Sequence, residues 1–426
     1  MVDAATERSP TEEQADGTPT PEAGDLPLAG MRVLDLSRAL SGPFCAMILA
    51  DLGADVVKVE PAPAGDMIRA WGPFDHGESV YYLSTNRNKR SLVVDFRSPD
   101  GLRLLRDLAL ASDVVVENFK PGTMAAMGLD PAGLRAERPG LIVASISGFG
   151  SRGPLGAQPG FDQIAQGYAG FMSFTGTAES GPTRVGVAIG DLAAGLWAAI
   201  GVLAAWITRQ RSGRGQGVEA SLFAGLIGLL SMQGQRWLSL GDVAGPAGNH
   251  HPIIAPYGVF RAADGDLNIA AATQDMWVSL CGVLGVPALA DDPRFRDNAG
   301  RMHHRDALHA AIDERLAART RAEWTARLVA AGIPAGPIND VADALSEPQV
   351  TETGLVETVQ HPTIGALRQV VTPIGLSDLE GRCVRRPPPR LGEHSAEVLA
   401  EFGYAPDAIA ALMDGRVVFG GEAARP

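Results

Sequence analysis

Between residues 31 and 149 the chain repeats one pattern: a short β-branched run followed by a helical stretch. The runs are MRVLDLS (31–37), ADVVKVE (54–60), SLVVDF (91–96), DVVVENF (113–119) and LIVASISGF (141–149). Strands that alternate with helices pair in parallel, because parallel neighbours need a crossover between them. The pattern therefore predicts a doubly wound α/β domain. One helix start is explicit in Ser98-Pro99-Asp100. Ser98 can accept from backbone N–H groups, and Pro99 at the first helical position sacrifices no hydrogen bond. Further helices are predicted at 162–172, 191–209 and 219–237.

After about residue 240 the texture changes. GPAGNHHP (245–252) reads as a loop, and the Asp264-Gly265 pair in YGVFRAADGDLNIAAA as a hairpin turn. Helices at 274–284, 304–317 and 321–331 complete a smaller α+β domain, which a Gly/Pro-rich stretch (332–338) leaves. The predicted division is a disordered acidic tail (1–26), a large α/β domain (27–225), a linker helix and loop (226–249), the small domain (250–345), a return linker (346–374) and the C-terminal part of the large domain (375–426).

Charge and cysteine content narrow the function. Of the net charge of −13, the tail holds −6, with seven carboxylates against Arg8 alone. The body is thus only mildly acidic and has no basic stretch suited to nucleic acid. Three widely spaced cysteines (Cys45, Cys281, Cys383) form no CxxC pair, which fits a reducing, cytoplasmic setting. The N-terminus lacks the basic-then-apolar order of a signal peptide. The uncharged apolar run Leu192–Ile207 falls short of the roughly 20 residues needed to span a bilayer, so it is predicted to be a buried helix rather than a membrane anchor.

Several motif readings fail on context. GFGSRG (148–153) fits GxGxxG, but Pro154 to Gly160 cannot open the helix a dinucleotide site requires. The three lysines, Lys58, Lys89 and Lys120, follow no P-loop pattern, and no GxSxG elbow occurs. His303, His304 and His309 lack the i, i+4 spacing of a zinc helix, so no metal site is expected. His250-His251, beside Asn249 in a Gly-rich loop, suits a site or an ordinary loop. Asp191 stands alone as a charge in VAIGDLAAGLWAAIGVLAAWI. It can be an N-cap, a carboxylate kept ionised at a helix start for attack on an activated carbonyl, or both.

From about Leu28 to Val418 the chain resembles the class III CoA-transferases. That family holds the formyl-CoA:oxalate, carnitine-pathway and dicarboxylate CoA-transferases together with the acyl-CoA racemases. The resemblance rests on VLDLSRALSGP (33–43), LGADVVKVEP (52–61), GDMIRAWGP (65–73), NRNKRSL (86–92), ENFKPG (117–122), SGFGSRGP (147–154), VAIGDLAAG (187–195), RSGRGQGVEASL (211–222), HPIIAPYGVF (251–260) and GIPAGPINDV (332–341). It implies a Rossmann-like large domain with an inserted small domain, in an interlocked, ring-like homodimer. It also implies that Asp191 is the nucleophile and that Gly248, Asn249, His250 and His251 form a loop over the site. CoA and acyl-CoA are then substrates, with no tightly bound cofactor. By the same resemblance Val94, Asn118, Phe119, Met127 and Arg90 bind CoA. Leu40 stands where oxalate-type enzymes have glutamine, and Pro61 and Ser147 replace basic CoA contacts. The racemases place a histidine before the aspartate matching Asp162; Phe161 here can neither remove nor return a proton. Racemase is therefore the alternative reading, and a non-catalytic CoA-binding protein the third.

Within the family the pattern is closest to the succinyl-CoA-dependent dicarboxylate enzymes, through YYLSTNRNKRSL, HPIIAPYGVF and RRPPPRLGEH. A buried diacid needs its far carboxylate paired, ideally by a guanidinium that binds both oxygens. Arg69, with Trp71 and Tyr82, is the candidate, and His250 the second choice. Arg69 can equally serve the fold through a carboxylate such as Asp66.

Overall fold

A computed structural model of the chain describes residues 25–156, 158–377, 381 and 383–421. Of the tail expected to be disordered, 1–26, residues 1–24 lie outside the described residues, while the Leu26 carbonyl accepts from the Ala29 amide. The chain divides into two compact units, one of Met1–Ile146, Gly195–Glu219 and Gly354–Pro426, the other of Ser147–Ala194 and Ala220–Thr353. The second unit thus takes in 147–194 and 220–249 as well as the expected small domain.

Chain order gives β1 (Arg32–Asp35), β2 (Asp55–Pro61), the hairpin β3 (Phe74–Asp75) and β4 (Glu78–Ser79), then β5 (Lys89–Val94), β6 (Val114–Glu117), β7 (Ile142–Ser147) and β8 (Gly217–Ser221). With β14 (Val418–Phe419), all of these except the β3–β4 hairpin build a seven-stranded sheet in the order β14-β5-β2-β1-β6-β7-β8. The β1–β2, β2–β5, β1–β6 and β6–β7 pairs are parallel, and β14 adds antiparallel to the β5 edge. Every residue of β5 and β6 is buried, as a sheet covered on both faces requires. The β-branched runs fill the core with Leu34, Val57, Val59, Leu92, Val115 and Val143, against Leu104, Leu105 and Leu108 of the helix Pro99–Ala111. Ser98 caps that helix, accepting from the Asp100 and Gly101 amides.

Two expectations change here. The return linker 346–374 contains an antiparallel hairpin, β12 (Val356–His361) with β13 (Gly365–Val370), and Gln369 Nε2 ties it to the Leu83 carbonyl at 2.8 Å. The apolar helix runs Ile189–Ser212, long and apolar enough by length and composition to cross a membrane. It is not wholly buried. Gly195 and Gly201 admit close approach to Ser41 and Val218, while Leu196, Trp197, Ile200 and Ile207 are exposed.

The second unit holds β9 (Tyr257–Ala262), β10 (Gly265–Ala270) and β11 (Ala335–Pro337) in an antiparallel sheet. The hairpin closes one residue earlier than expected, with Gly265 opposite Ala262. Helices Gln274–Val283, Arg305–Leu316 and Arg321–Ala330 pack Trp277, Leu280, Leu308, Ile312 and Trp324 against Phe260, Leu267 and Ile269.

Candidate active site

In the first unit the strand order reverses between β1 and β6, since β2 and β5 extend to one side and β7 and β8 to the other. Open α/β sheets bind ligands at the carboxyl ends of strands at such a reversal. The two segments leaving these strands meet. Asn118 Oδ1 accepts from the Arg38 amide at 2.7 Å, and its Nδ2 donates to the Arg38 carbonyl at 2.7 Å. The Arg38 guanidinium lies 5.0 Å from the centre of the Phe119 ring. The helix Ser41–Asp51 starts directly after this turn, with no side-chain cap at Leu40. Of the residues assigned to CoA by resemblance, Asn118 and Phe119 stand at this crevice, and Met127 is partly buried against the apolar core.

Beneath the crevice lies a buried charge cluster the sequence did not disclose. Two of the three lysines, Lys58 and Lys89, are fully buried. Lys58 Nζ pairs with Asp66 at 3.0 Å and donates to the Ser37 carbonyl at 3.0 Å. Lys89 Nζ pairs with Asp35 at 2.9 Å and donates to the Pro43 carbonyl and Asn86 Oδ1. Burial pulls Lys89 down to about 8 despite Asp35. Burial also works against the charge on Lys58, but Asp66, Asp35 and Glu60 hold it above the usual lysine range. With Glu60 and Arg69, three carboxylates balance three bases, as charges removed from water must.

This cluster claims the residue assigned to substrate. Arg69 grips Glu60 with two hydrogen bonds of 2.7 Å, donates to the Pro389 carbonyl at 3.1 Å, and lies 3.6 Å over the Tyr82 ring. Its fork is spent on the fold, through Glu60 rather than Asp66. Tyr82 is buried beneath it, with a hydroxyl that has no hydrogen-bond partner among the described residues. Trp71 is exposed and meets Tyr81 edge-on. Two CoA assignments are also revised. Val94 is fully buried in the apolar core at the β14 edge, leaving no surface for a ligand. Arg90 pairs with Asp55, Glu397 and Glu401. It lines a cavity of about 320 Å³ with Asp55 at the start of β2, the end of the strands away from the crevice.

In the second unit, Asp191 occupies the first turn of Ile189–Ser212. The helix opens two residues earlier than predicted, so Asp191 is its third residue rather than its cap. Asp162 takes the capping part instead. Its Oδ1 accepts from the Gly190 amide at 2.7 Å and its Oδ2 from Gln166 at 2.7 Å, while Gln166 Oε1 accepts from the Val185 amide at 2.9 Å. A Cβ on Gly190 would lie 3.0 Å from Asp162 Oδ1, so any larger residue there would have to push the capping carboxylate back. Asp191 is half-buried, and carboxylates are favoured at helix starts.

The Gly-rich loop is anchored at both ends. Gly248, at φ +59°, donates its amide to the Gly176 carbonyl, and Asn249 is exposed. His251 stacks on Tyr257 at 4.8 Å. His250 instead packs edge-on against His309 at 4.2 Å, and His309 stacks on Phe260. Burial pushes His250 below the usual histidine range and His309 down to about 4. A neutral imidazole used in packing is a poor partner for a substrate carboxylate. Among the described residues, no group of three or more His, Cys, Asp or Glu is placed to hold a metal ion.

The family described as CoA-transferase family III matches residues 28–395. The succinyl-CoA:glutarate CoA-transferase of Homo sapiens is 36% identical over 405 residues, 94% of this chain and 92% of that protein. The succinate–glutarate CoA-transferase of Agrobacterium fabrum is 40% identical over 383 residues, 88% of this chain and 96% of that protein. The crystal structure of a CAIB/BAIF family protein from Brucella suis superimposes with a TM-score of 0.80 at 39% identity, covering 88% of this chain and 99% of that one. The chain belongs to CoA-transferase family III and is an enzyme of that class.

Proposed function

We propose that the enzyme moves CoA from succinyl-CoA to a short dicarboxylic acid, with Asp191 as the nucleophile. An Asp191 oxygen attacks the thioester carbonyl, the C–S bond breaks, and an aspartyl anhydride and CoA thiolate result. The thiolate then attacks the Asp191 carbonyl carbon, releasing succinate and leaving an aspartyl-CoA thioester. The acceptor carboxylate attacks that thioester and expels the thiolate. The thiolate finally takes the acceptor's acyl carbon and frees Asp191. A carboxylate suits every step because it leaves as readily as it attacks. Backbone N–H groups of the Gly248–His251 loop are the candidate donors to the oxyanions.

The observation that carries this reading is the half-buried Asp191 in a helix first turn whose start is fixed by Asp162. The same bonds weigh against racemisation. Both Asp162 oxygens are engaged, and Phe161, 67% exposed, supplies no acid or base. Diacid preference is supported by the substrates named for the relatives. With Arg69 bound to Glu60, the group that pairs with the far carboxylate is another residue. The reading places the enzyme in the cytoplasm as a homodimer, with neither nucleic acid nor membrane as partner.

A panel of donor CoA esters crossed with mono- and dicarboxylic acceptors, read by mass spectrometry, tests the substrate class. Succinyl-CoA with short diacids is expected to give the highest kcat/KM. Preference for monocarboxylates, or for oxalate with formyl-CoA, would overturn the substrate class.

A further inference from the structure

The turn that leaves β1 is held in a conformation its own residues disfavour. Ala39 has φ +63°, a left-handed backbone that glycine adopts freely and other residues do not. Such a residue persists only where its surroundings over-determine it, and these positions cluster at ligand clamps and active sites. The determinants here are explicit. Asp66 accepts from the Ala39 amide with both oxygens, at 3.1 and 3.2 Å. Lys58 donates to the Ser37 carbonyl at 3.0 Å and pairs with Asp66 at 3.0 Å. Asn118 takes both backbone groups of Arg38, and Asp35 accepts from the Ser37 amide at 3.0 Å. Side chains from four separate segments thus fix three consecutive residues.

Stability alone does not call for such a cluster, since well-packed apolar residues often match or exceed a buried ion pair. Its location supplies the reason. The turn it fixes lies at the carboxyl end of β1, where the strand order reverses. We propose that Asp66, backed by Lys58, is a positioning residue for CoA transfer: it holds Ala39 left-handed and so keeps the β1 turn preset for the CoA thioester. This rests on the function proposed above and adds to it that CoA itself is held at that crevice. A preset turn spares the ligand the cost of ordering it. Asp66 is buried and acts through the backbone of Ala39.

The test uses the full chain, with CoA binding measured by calorimetry and turnover with succinyl-CoA and glutarate. Asp66→Asn is expected to raise the Kd for CoA and the KM for succinyl-CoA roughly tenfold, with kcat within about threefold. Adding Ala39→Gly, which makes the left-handed turn intrinsic to the chain, is expected to restore both constants to near the wild-type values. A merely structural Asp66 predicts no such rescue. Asp66→Asn that binds CoA like wild type, or a defect Ala39→Gly leaves unchanged, would overturn the proposal. Should Asp66→Asn not fold, Ala39→Val tests the same turn with the cluster intact, because a β-branched residue resists positive φ. It is expected to weaken CoA binding at least as much, and wild-type binding would refute the proposal. A wild-type chain that binds no CoA would instead remove the underlying function, and the proposal with it.

Discussion

Glu60 and Arg69 are nine residues apart in sequence, yet they form a bidentate pair at the centre of the charge cluster. Glu60 is fully buried, and although burial opposes its charge, Arg69 holds its carboxyl down at about 2 from an ordinary 4.5. A depressed carboxylate lends stability above its unfolded pKa and loses it as pH falls towards the folded value. The contribution of Glu60 is therefore complete above about pH 4.5 and fades towards pH 2. Arg69→Ala strips that buried carboxylate of its bidentate cation, leaving the Ser91 hydroxyl and the Asp66 amide as donors. Losing one partner of a buried ion pair costs about 3–5 kcal/mol. Denaturant unfolding is expected to show that loss near pH 7 and a shallower pH dependence below 4.5 than the wild type has. Equal stability with a raised KM for diacids would return Arg69 to the substrate. The sequence left Arg69, beside Trp71, between a substrate carboxylate and a fold carboxylate such as Asp66, and did not point to Glu60. That choice follows from how the 3-10 turn Met67–Ala70 folds back onto Glu60 at the end of β2, and no spacing rule encodes it. The same limit hid Lys58 and Lys89, whose burial depends on carboxylates brought from other segments.

At the scale of elements, legibility followed local pattern. The parallel strands were readable because their β-branched runs are continuous, as strands buried on both faces must be. The hairpin β12–β13 was not, because a short exposed ribbon interrupted by Pro362 resembles a linker. The start of Ile189–Ser212 was misjudged by two residues because its cap comes from Asp162, 28 positions from Gly190. That long-range cap makes Gly190→Ala informative. The added Cβ would crowd Asp162 Oδ1 at 3.0 Å and Leu226 Cδ1 at 3.2 Å, displacing the turn that carries Asp191. Misplacing a reacting group by 1 Å can cost about 100-fold in rate, so kcat is expected to fall roughly tenfold while CoA binding is unchanged. An unaltered kcat would mean that the helix start does not position the nucleophile.

For the molecule as a whole, the large exposed apolar side chains of Ile189–Ser212 matter most. Leu196, Trp197, Ile200 and Ile207 form a surface that a second copy would cover, in keeping with the proposed homodimer. Obligate interfaces of this apolar kind are large, so light scattering is expected to show a dimer that persists at nanomolar concentration. A folded, active monomer would contradict the assembly and leave the chemistry intact. The chemistry itself turns on whether Asp191 becomes acylated. Wild-type enzyme incubated with succinyl-CoA and quenched with hydroxylamine is mapped by peptide mass spectrometry, beside Asp191→Ala. The account predicts a hydroxamate on the peptide carrying Asp191, formed only with donor present, and a variant that binds CoA but does not turn over. Label on another residue, or substantial turnover by Asp191→Ala, would contradict it.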